Sequence, residues 1–158
     1  MLDFRIGHGY DVHRLVPDRR LVLGGVEIDC ELGLLGHSDA DVLIHAVMDA
    51  MLGALALGDI GKLFPDSDSA YKDIDSMVLL KKVYSLVIEG GYALSNMDVT
   101  VNAEKPKLAK HIPQMRLNLA EALHCELSQV SVKATTEEGL GLSGKGIGAT
   151  CVCILERV

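Results

Sequence analysis

Between Asp39 and Leu57 the chain runs with few charges, and no other stretch constrains the fold as tightly. Its apolar positions Val42, Leu43, Val47, Met51, Leu52 and Leu55 recur at helical spacing, and most residues between them are small. A helix of this kind has no face suited to water, so the rest of the chain must pack around it. Ser38 or Asp39 is expected to cap it. Three polar exceptions, Asp41, His45 and Asp49, are spaced i, i+4, i+8 and share one stripe. Polar groups in a buried helix need partners, which makes this stripe the first candidate for chemistry.

Earlier in the chain, Gly7-His8-Gly9-Tyr10-Asp11-Val12-His13 sets a carboxylate and an imidazole two positions apart. On an extended strand those side chains point to the same face. With His45 they make three N/O donors and leave a fourth position open, the donor set of a catalytic rather than a structural zinc site. Asp49, one turn beyond His45, stands where it can hold the second ring nitrogen. The alternative is that Asp11 caps a turn and His45–Asp49 is a buried pair without metal. Because the donors are split along the chain, spacing alone leaves both readings open.

The length of 158 residues suits one domain with its own core. With two Phe, four Tyr and no Trp, that core must be aliphatic. A net charge of −7 argues against a general nucleic-acid binder. An anionic ligand would need metal ions or local basic groups beside it. No segment reaches the length of a membrane span, and Asp3 and Arg5 interrupt any signal-peptide pattern. A soluble intracellular protein is expected. The four cysteines, Cys30, Cys125, Cys151 and Cys153, form no C-x-x-C pair and read as reduced structural thiols.

Residues 3–7 read as a short strand, and Leu21–Leu23 with Val26–Ile28 as a hairpin around Gly24-Gly25. A loop from Gly33 to Gly36 delivers His37. Residues 58–68 read as a loop, 74–89 as a helix, 94–104 as a strand, 113–124 as a helix and 130–134 as a strand. A glycine-rich loop over 139–148 and a final strand over 149–156 complete the chain. Strands come singly or as hairpins between helices, a pattern that predicts α+β or mixed α/β; the expected fold is α+β, a single domain with a mixed sheet packed against helices. Within the loop, Gly139 to Lys145 mimics a phosphate-binding G-x-x-x-x-G-K, but Gly146 stands where Ser or Thr would hold magnesium, and a strand-like run follows instead of a helix. Thr135-Thr136-Glu137-Glu138 can meet phosphate and a magnesium-type ion, or be a solvated turn. Lys105 and Lys107 are surface charges or offset an anionic ligand.

Taken together, G-H-G-Y-D-V-H (7–13), G-L-L-G-H-S-D-A-D-V (33–42), L-G-A-L-A-L-G-D-I-G-K-L-F-P-D (52–66), K-P-K-L-A-K-H-I-P-Q-M-R (105–116) and V-K-A-T-T-E-E-G-L-G (132–141) resemble the 2-C-methyl-D-erythritol 2,4-cyclodiphosphate synthase family over essentially the whole chain. The resemblance implies one cyclodiphosphate-synthase domain over residues 1–158 and a homotrimer with its sheets facing the central axis and its active sites between subunits. It implies one divalent metal per subunit, usually zinc, on Asp11, His13 and His45, with Mg2+ or Mn2+ accompanying the substrate diphosphate on Glu138. The implied reaction is phosphorus–oxygen lysis. The 2-phosphate of 4-diphosphocytidyl-2-C-methyl-D-erythritol 2-phosphate attacks the molecule's own diphosphate, CMP leaves and a cyclic diphosphate remains, in non-mevalonate isoprenoid synthesis. Carried over by position, His37 and Thr136 stabilise the transition state. Asp11, His13, His37 and Ser38 meet the substrate. Asp59, Ile60, Gly61, Phe64, Pro65, Asp66, Ser67 and Asp68 line its erythritol side. Ala103, Glu104, Lys105, Pro106, Lys107, Leu108, Ala109, Ala134, Thr135, Thr136, Glu137 and Glu138 hold the cytidine diphosphate. Leu142 and Lys145 stand at the substrate rim where many relatives have an aromatic and an arginine, and Val152 stands where some have Glu. These departures put isoprenoid diphosphate binding in a trimer channel in question, since Lys lacks the planar two-point contact of Arg. No nucleic acid or membrane is implied, and the setting is a bacterial cytoplasm or a plastid stroma.

Overall fold

The apolar helix is present as α1 (Val42–Ala54), in which every residue except Asp49 and Gly53 is buried. The computed structural model describes residues 3–158, leaving Met1 and Leu2 outside. α1 is shorter at both ends than the sequence pattern suggested, because neither Ser38 nor Asp39 caps it. Asp41 does, its carboxylate accepting the Ile44 N–H at 3.1 Å. The same carboxylate accepts the N–H groups of Gly24 (2.9 Å) and Gly25 (2.8 Å), tying the helix start to the hairpin of β2 (Leu21–Leu23) and β3 (Val26–Ile28). Asp41 is fully buried. Burial, joined by the neighbouring Asp39 charge and opposed by the three N–H donors, pushes its carboxyl up to about 6.

Beneath α1 lies a five-stranded sheet in the order β4-β1-β7-β5-β6. Its strands are β1 (Phe4–Pro17), β4 (Leu32–Leu34), β5 (Tyr92–Asn102), β6 (Val130–Thr135) and β7 (Gly146–Arg157). Pairing is antiparallel except between β5 and β6, so the sheet is mixed, as expected. β1 runs ten residues past the predicted end at Gly7, carrying Asp11 and His13 within the sheet. α3 (Ser76–Glu89) packs on α1 and β5, and α4 (Ile112–Ala122) on β6. The expected 58–68 loop contains one helical turn, α2 (Ile60–Leu63), capped by Asp59.

Two glycines set how closely α1 sits on the sheet. A Cβ on Gly7 would lie 1.7 Å from the Ala50 carbonyl oxygen, and one on Gly9 would lie 1.9 Å from that of Ala46. Gly7, Gly9, Asp11 and His13 alternate on the helix side of β1, with Cys153, Cys151, Ala149 and Ile147 opposite them on β7. Cys151 and Cys153 are free thiols buried on that side. Burial pushes Cys153 up to about 11 and Cys151 further, so both stay protonated at neutral pH. The opposite face of the sheet carries Phe4, Ile6, Tyr10, Val12 and Val152, all exposed.

Candidate active site

β1 and α1 bring Asp11, His13 and His45 together. Asp11 Oδ2 lies 3.0 Å from His13 Nε2 and 2.9 Å from His45 Nδ1, and one donor atom from each residue lies within 4.8 Å of the others. The expected i, i+2 convergence on β1 is therefore present, met by a side chain from the first turn of α1. Burial would raise the Asp11 pKa, but hydrogen bonds from both imidazoles outweigh it and hold the carboxyl well below the usual range. Burial would lower the His13 pKa, yet the hydrogen bond to Asp11 and its charge hold the ring above its ordinary value.

The protonation pattern tests whether these residues suit a cation. His13 Nδ1 lies 2.7 Å from the Leu35 carbonyl, which only accepts, so that nitrogen carries a proton. Neutral His13 therefore turns a bare Nε2 lone pair towards the Asp11 carboxylate. An oxygen anion and an imidazole lone pair at that separation repel unless a proton or a metal ion joins them. Two imidazoles and one carboxylate form a donor set suited to zinc and similar divalent ions.

Asp49 does not hold His45, correcting the expectation drawn from the helical stripe. Its carboxylate accepts the Ile60 N–H at 2.8 Å and so fixes α2. His45 Nε2 faces two hydroxyls instead, Ser76 Oγ at 3.0 Å and Ser38 Oγ at 3.2 Å. Ser76, absent from the sequence reading, is fully buried at the start of α3. It lies far from His45 in the chain, and helical periodicity carries no signal of it.

A cleft of about 290 Å³ opens over the three donors. His37, Ser38, Ile60, Gly61, Phe64 and Asp66 of the expected substrate residues line it, joined by Leu35, Gly36, Tyr71 and Leu79. Asp59, Pro65, Ser67 and Asp68 belong to the same segment but are exposed and do not line the cleft. His37 Nε2 donates to the Asp68 carbonyl at 3.1 Å. The loop bearing His37 and Ser38 is held by Arg19, also missed in the sequence. Its guanidinium donates to the Leu34 carbonyl at 3.0 Å and the Ser38 carbonyl at 2.8 Å and lies 3.6 Å from the Asp73 carboxylate.

The remaining expected residues form a second cluster. Ala103 to Ala109 follow β5, and Ala134 to Glu138 span the end of β6 and the turn after it. Glu104 accepts the Glu137 N–H at 2.7 Å, and Glu137 accepts from Asn102 (3.2 Å) and the Leu142 N–H (2.8 Å), lacing the two segments together. Thr136 Oγ1 donates to Glu138 Oε1 at 2.6 Å. Lys105, Lys107 and Ala109 are exposed, whereas Ala103 and Leu108 are buried. Leu142 and the exposed Lys145 lie in the loop before β7. None of these residues lines the cleft at Asp11. The registers of β1, β7, β5 and β6 put both clusters at one end of the sheet, the 103–109 segment two strand spacings from β1 and the 134–138 segment three, while the Lys145 carbonyl accepts the Leu15 N–H of β1 itself at 3.0 Å. At about 4.8 Å per spacing those separations are roughly 10 and 14 Å.

Comparison with known proteins identifies relatives of both the sequence and the fold. The model of the YgbB family matches residues 4–156. The 2-C-methyl-D-erythritol 2,4-cyclodiphosphate synthase of Geotalea uraniireducens is 59% identical over 155 residues, 97% of this chain and 99% of that protein. The structure of the bifunctional IspDF from Campylobacter jejuni superposes with a TM-score of 0.95 at 42% identity, covering all of this chain and 43% of that one. A CDP-bound structure of 2C-methyl-D-erythritol-2,4-cyclodiphosphate synthase superposes at 0.89 with 36% identity, covering 96% and 99% of the two chains.

Proposed function

The chain belongs to the YgbB family, and from that premise we propose that it converts 4-diphosphocytidyl-2-C-methyl-D-erythritol 2-phosphate to 2-C-methyl-D-erythritol 2,4-cyclodiphosphate and CMP. It is then a phosphorus–oxygen lyase of non-mevalonate isoprenoid synthesis, with residues 1–158 as one cyclodiphosphate-synthase domain. The observation that carries the reading is the convergence of Asp11, His13 and His45 at the floor of the cleft. Those three side chains would hold one divalent metal, with zinc the ion their donors suit best. When bound, such an ion supplies Lewis-acid polarisation of a phosphoryl oxygen.

The nucleophile is a phosphate of the substrate, already anionic, so the chain needs no activated Ser or Cys. It must align the substrate and offset charge. His37, fixed through Asp68, presents its ring at the cleft. Ile60, Gly61 and Phe64 line the erythritol side of the cleft. The cluster of 103–109 and 134–138 holds the cytidine diphosphate through backbone groups and the Thr136 hydroxyl, with Glu138 beside an accompanying Mg2+ or Mn2+. Glu104 and Glu137 brace that cluster through their hydrogen bonds. Leu142 and Lys145 stand at its rim.

One observation supports association of subunits, which the family resemblance implies as a homotrimer with interfacial sites. The exposed apolar face of β1 and β7 is the kind of surface a partner covers, with the sheets turned to a common axis. The Geotalea and Campylobacter relatives favour a bacterial setting over a plastid one.

The test is metal analysis of the purified protein combined with a CMP-release assay. The expected result is about one tightly held divalent ion per chain and CMP released together with cyclic product. A metal-bearing protein that releases no CMP from this substrate would overturn the reading.

A further inference from the structure

Behind His45 runs a chain of hydrogen bonds that the proposed reaction does not use. The Ser76 hydroxyl donates to Asp39 Oδ1 at 2.5 Å, and Asp39 Oδ2 accepts the Ser76 N–H at 3.0 Å. Asp39 Oδ1 also accepts the Asp41 N–H at 3.1 Å. A hydroxyl has one proton and two lone pairs. With its proton committed to the carboxylate, Ser76 Oγ can only accept from His45 Nε2, 3.0 Å away. That nitrogen then carries a proton, so in the neutral ring it is the Nδ1 lone pair that faces Asp11 Oδ2 across the cleft, and the two are joined only by a shared proton or a cation.

We propose that Asp39 and Ser76 are positioning residues that set the tautomer and orientation of His45, so that its Nδ1 is free to bind the cation. The inference rests on the metal reading above. It places His45 on the same footing as His13, whose proton is fixed by the Leu35 carbonyl. The two rings reach that state by different means, one through a backbone carbonyl and the other through a polarised hydroxyl. Ser38 Oγ is the weaker neighbour of His45 Nε2. It is 3.2 Å away, already accepts the Ala40 N–H, and has no carboxylate to fix its proton. Ser76 is fully buried, so water cannot readily replace its hydroxyl.

The experiment measures zinc affinity of the purified chain by competition with a chromophoric chelator, for the wild type, Ser76→Ala and Asp39→Ala. Loss of such an outer hydrogen bond weakens metal binding by about 10–100-fold, and both variants are expected in that range. In the zinc-loaded, 15N-labelled wild type, the His45 Nε2 proton should exchange slowly with water, and in Ser76→Ala quickly. A purely structural role for Ser76 would not move that proton's exchange while the metal stays bound. Affinities within about threefold of wild type in both variants overturn the inference, as does a wild-type Nε2 proton that exchanges like that of an exposed imidazole. The wild-type exchange measurement decides the matter even where a variant fails to fold, because Asp39 also ties down the start of α3. A wild type that takes up no zinc overturns the metal reading and this inference with it. Wild-type uptake with unaltered variants overturns this inference alone.

Discussion

One imidazole at His45 joins the floor of the cleft to its buried scaffold, with Nδ1 towards Asp11 and Nε2 towards Ser76. Replacing it with alanine deletes a cation donor and leaves the two serines facing a small hole. His45→Ala is expected to lose bound metal and CMP release together while folding, with a stability cost of roughly 1–3 kcal/mol seen in a thermal melt. His37 lines the same cleft but lies outside the donor cluster. For His37→Ala, turnover is expected to fall by about 100-fold or more with metal content unchanged, read by parallel assay and metal analysis. Loss of metal in that variant would make His37 a ligand. Asp41 offers a test of a different kind. Its folded carboxyl titrates near 6 against an ordinary value of 3.8, so between those pH values the folded chain keeps a proton that the unfolded chain has released. Stability from this group is highest below the lower value and falls as pH rises through the upper one. The advantage of the wild type over Asp41→Asn, both kept metal-free with a chelator, should shrink by up to about 3 kcal/mol from pH 4 to pH 6.5 in urea melts. At this scale the sequence revealed the Asp11/His13 pair, because strand alternation alone aligns two side chains. It misled at Asp49, because helical spacing marks a shared stripe but cannot show that the Ile60 N–H arrives to claim the carboxylate.

The pairing of β1 with α1 makes the cluster possible. The carbonyls of Ala46 and Ala50 occupy the space that side chains on Gly9 and Gly7 would need. Gly9→Ala would force a methyl against backbone atoms of α1, which cannot rotate away as a side-chain tip can. The expected cost is about 1–3 kcal/mol or more, with a fall of several degrees in Tm. Zinc affinity should weaken as well, because His45 rides on the displaced helix while Asp11 and His13 stay on the strand. A variant that melts and binds zinc like the wild type would show that α1 can shift without disturbing the donors. The same packing explains why β1 was legible only to Gly7. An ordinary half-buried strand has apolar residues facing the core and polar ones facing water. Here the core side is Gly7, Gly9, Asp11 and His13, and the outer side holds Ile6, Tyr10 and Val12, so the alternation is inverted. α1 and α3 follow the usual rules of apolar spacing, and both were recognisable, α1 with its two ends misplaced and α3 with only its start.

For the molecule as a whole, the exposed apolar face of the sheet is explained if subunits meet across it. In a closed ring of three, every interface is the same and directed, joining the metal-bearing cluster of one subunit to the Thr136 cluster of the next. This arrangement predicts complementation between inactive variants. His45→Ala lacks the metal-bearing half of a site and Thr136→Ala the other half, so each homotrimer should be impaired. In trimers assembled at random from equal amounts of both, an intact site needs the Thr136→Ala chain to supply its metal cluster and the His45→Ala chain to supply its threonine. About one interface in four meets that condition, so co-expressed chains should recover roughly a quarter of wild-type CMP release. If each chain builds its whole site alone, every site in the mixture lacks one group or the other and no recovery occurs. Sedimentation of the mixture checks that trimers have formed, which separates a failure of assembly from a failure of sharing. Such an arrangement would leave no mark in the residue pattern of one chain, because groups that work together across an interface share neither a strand nor a helical stripe.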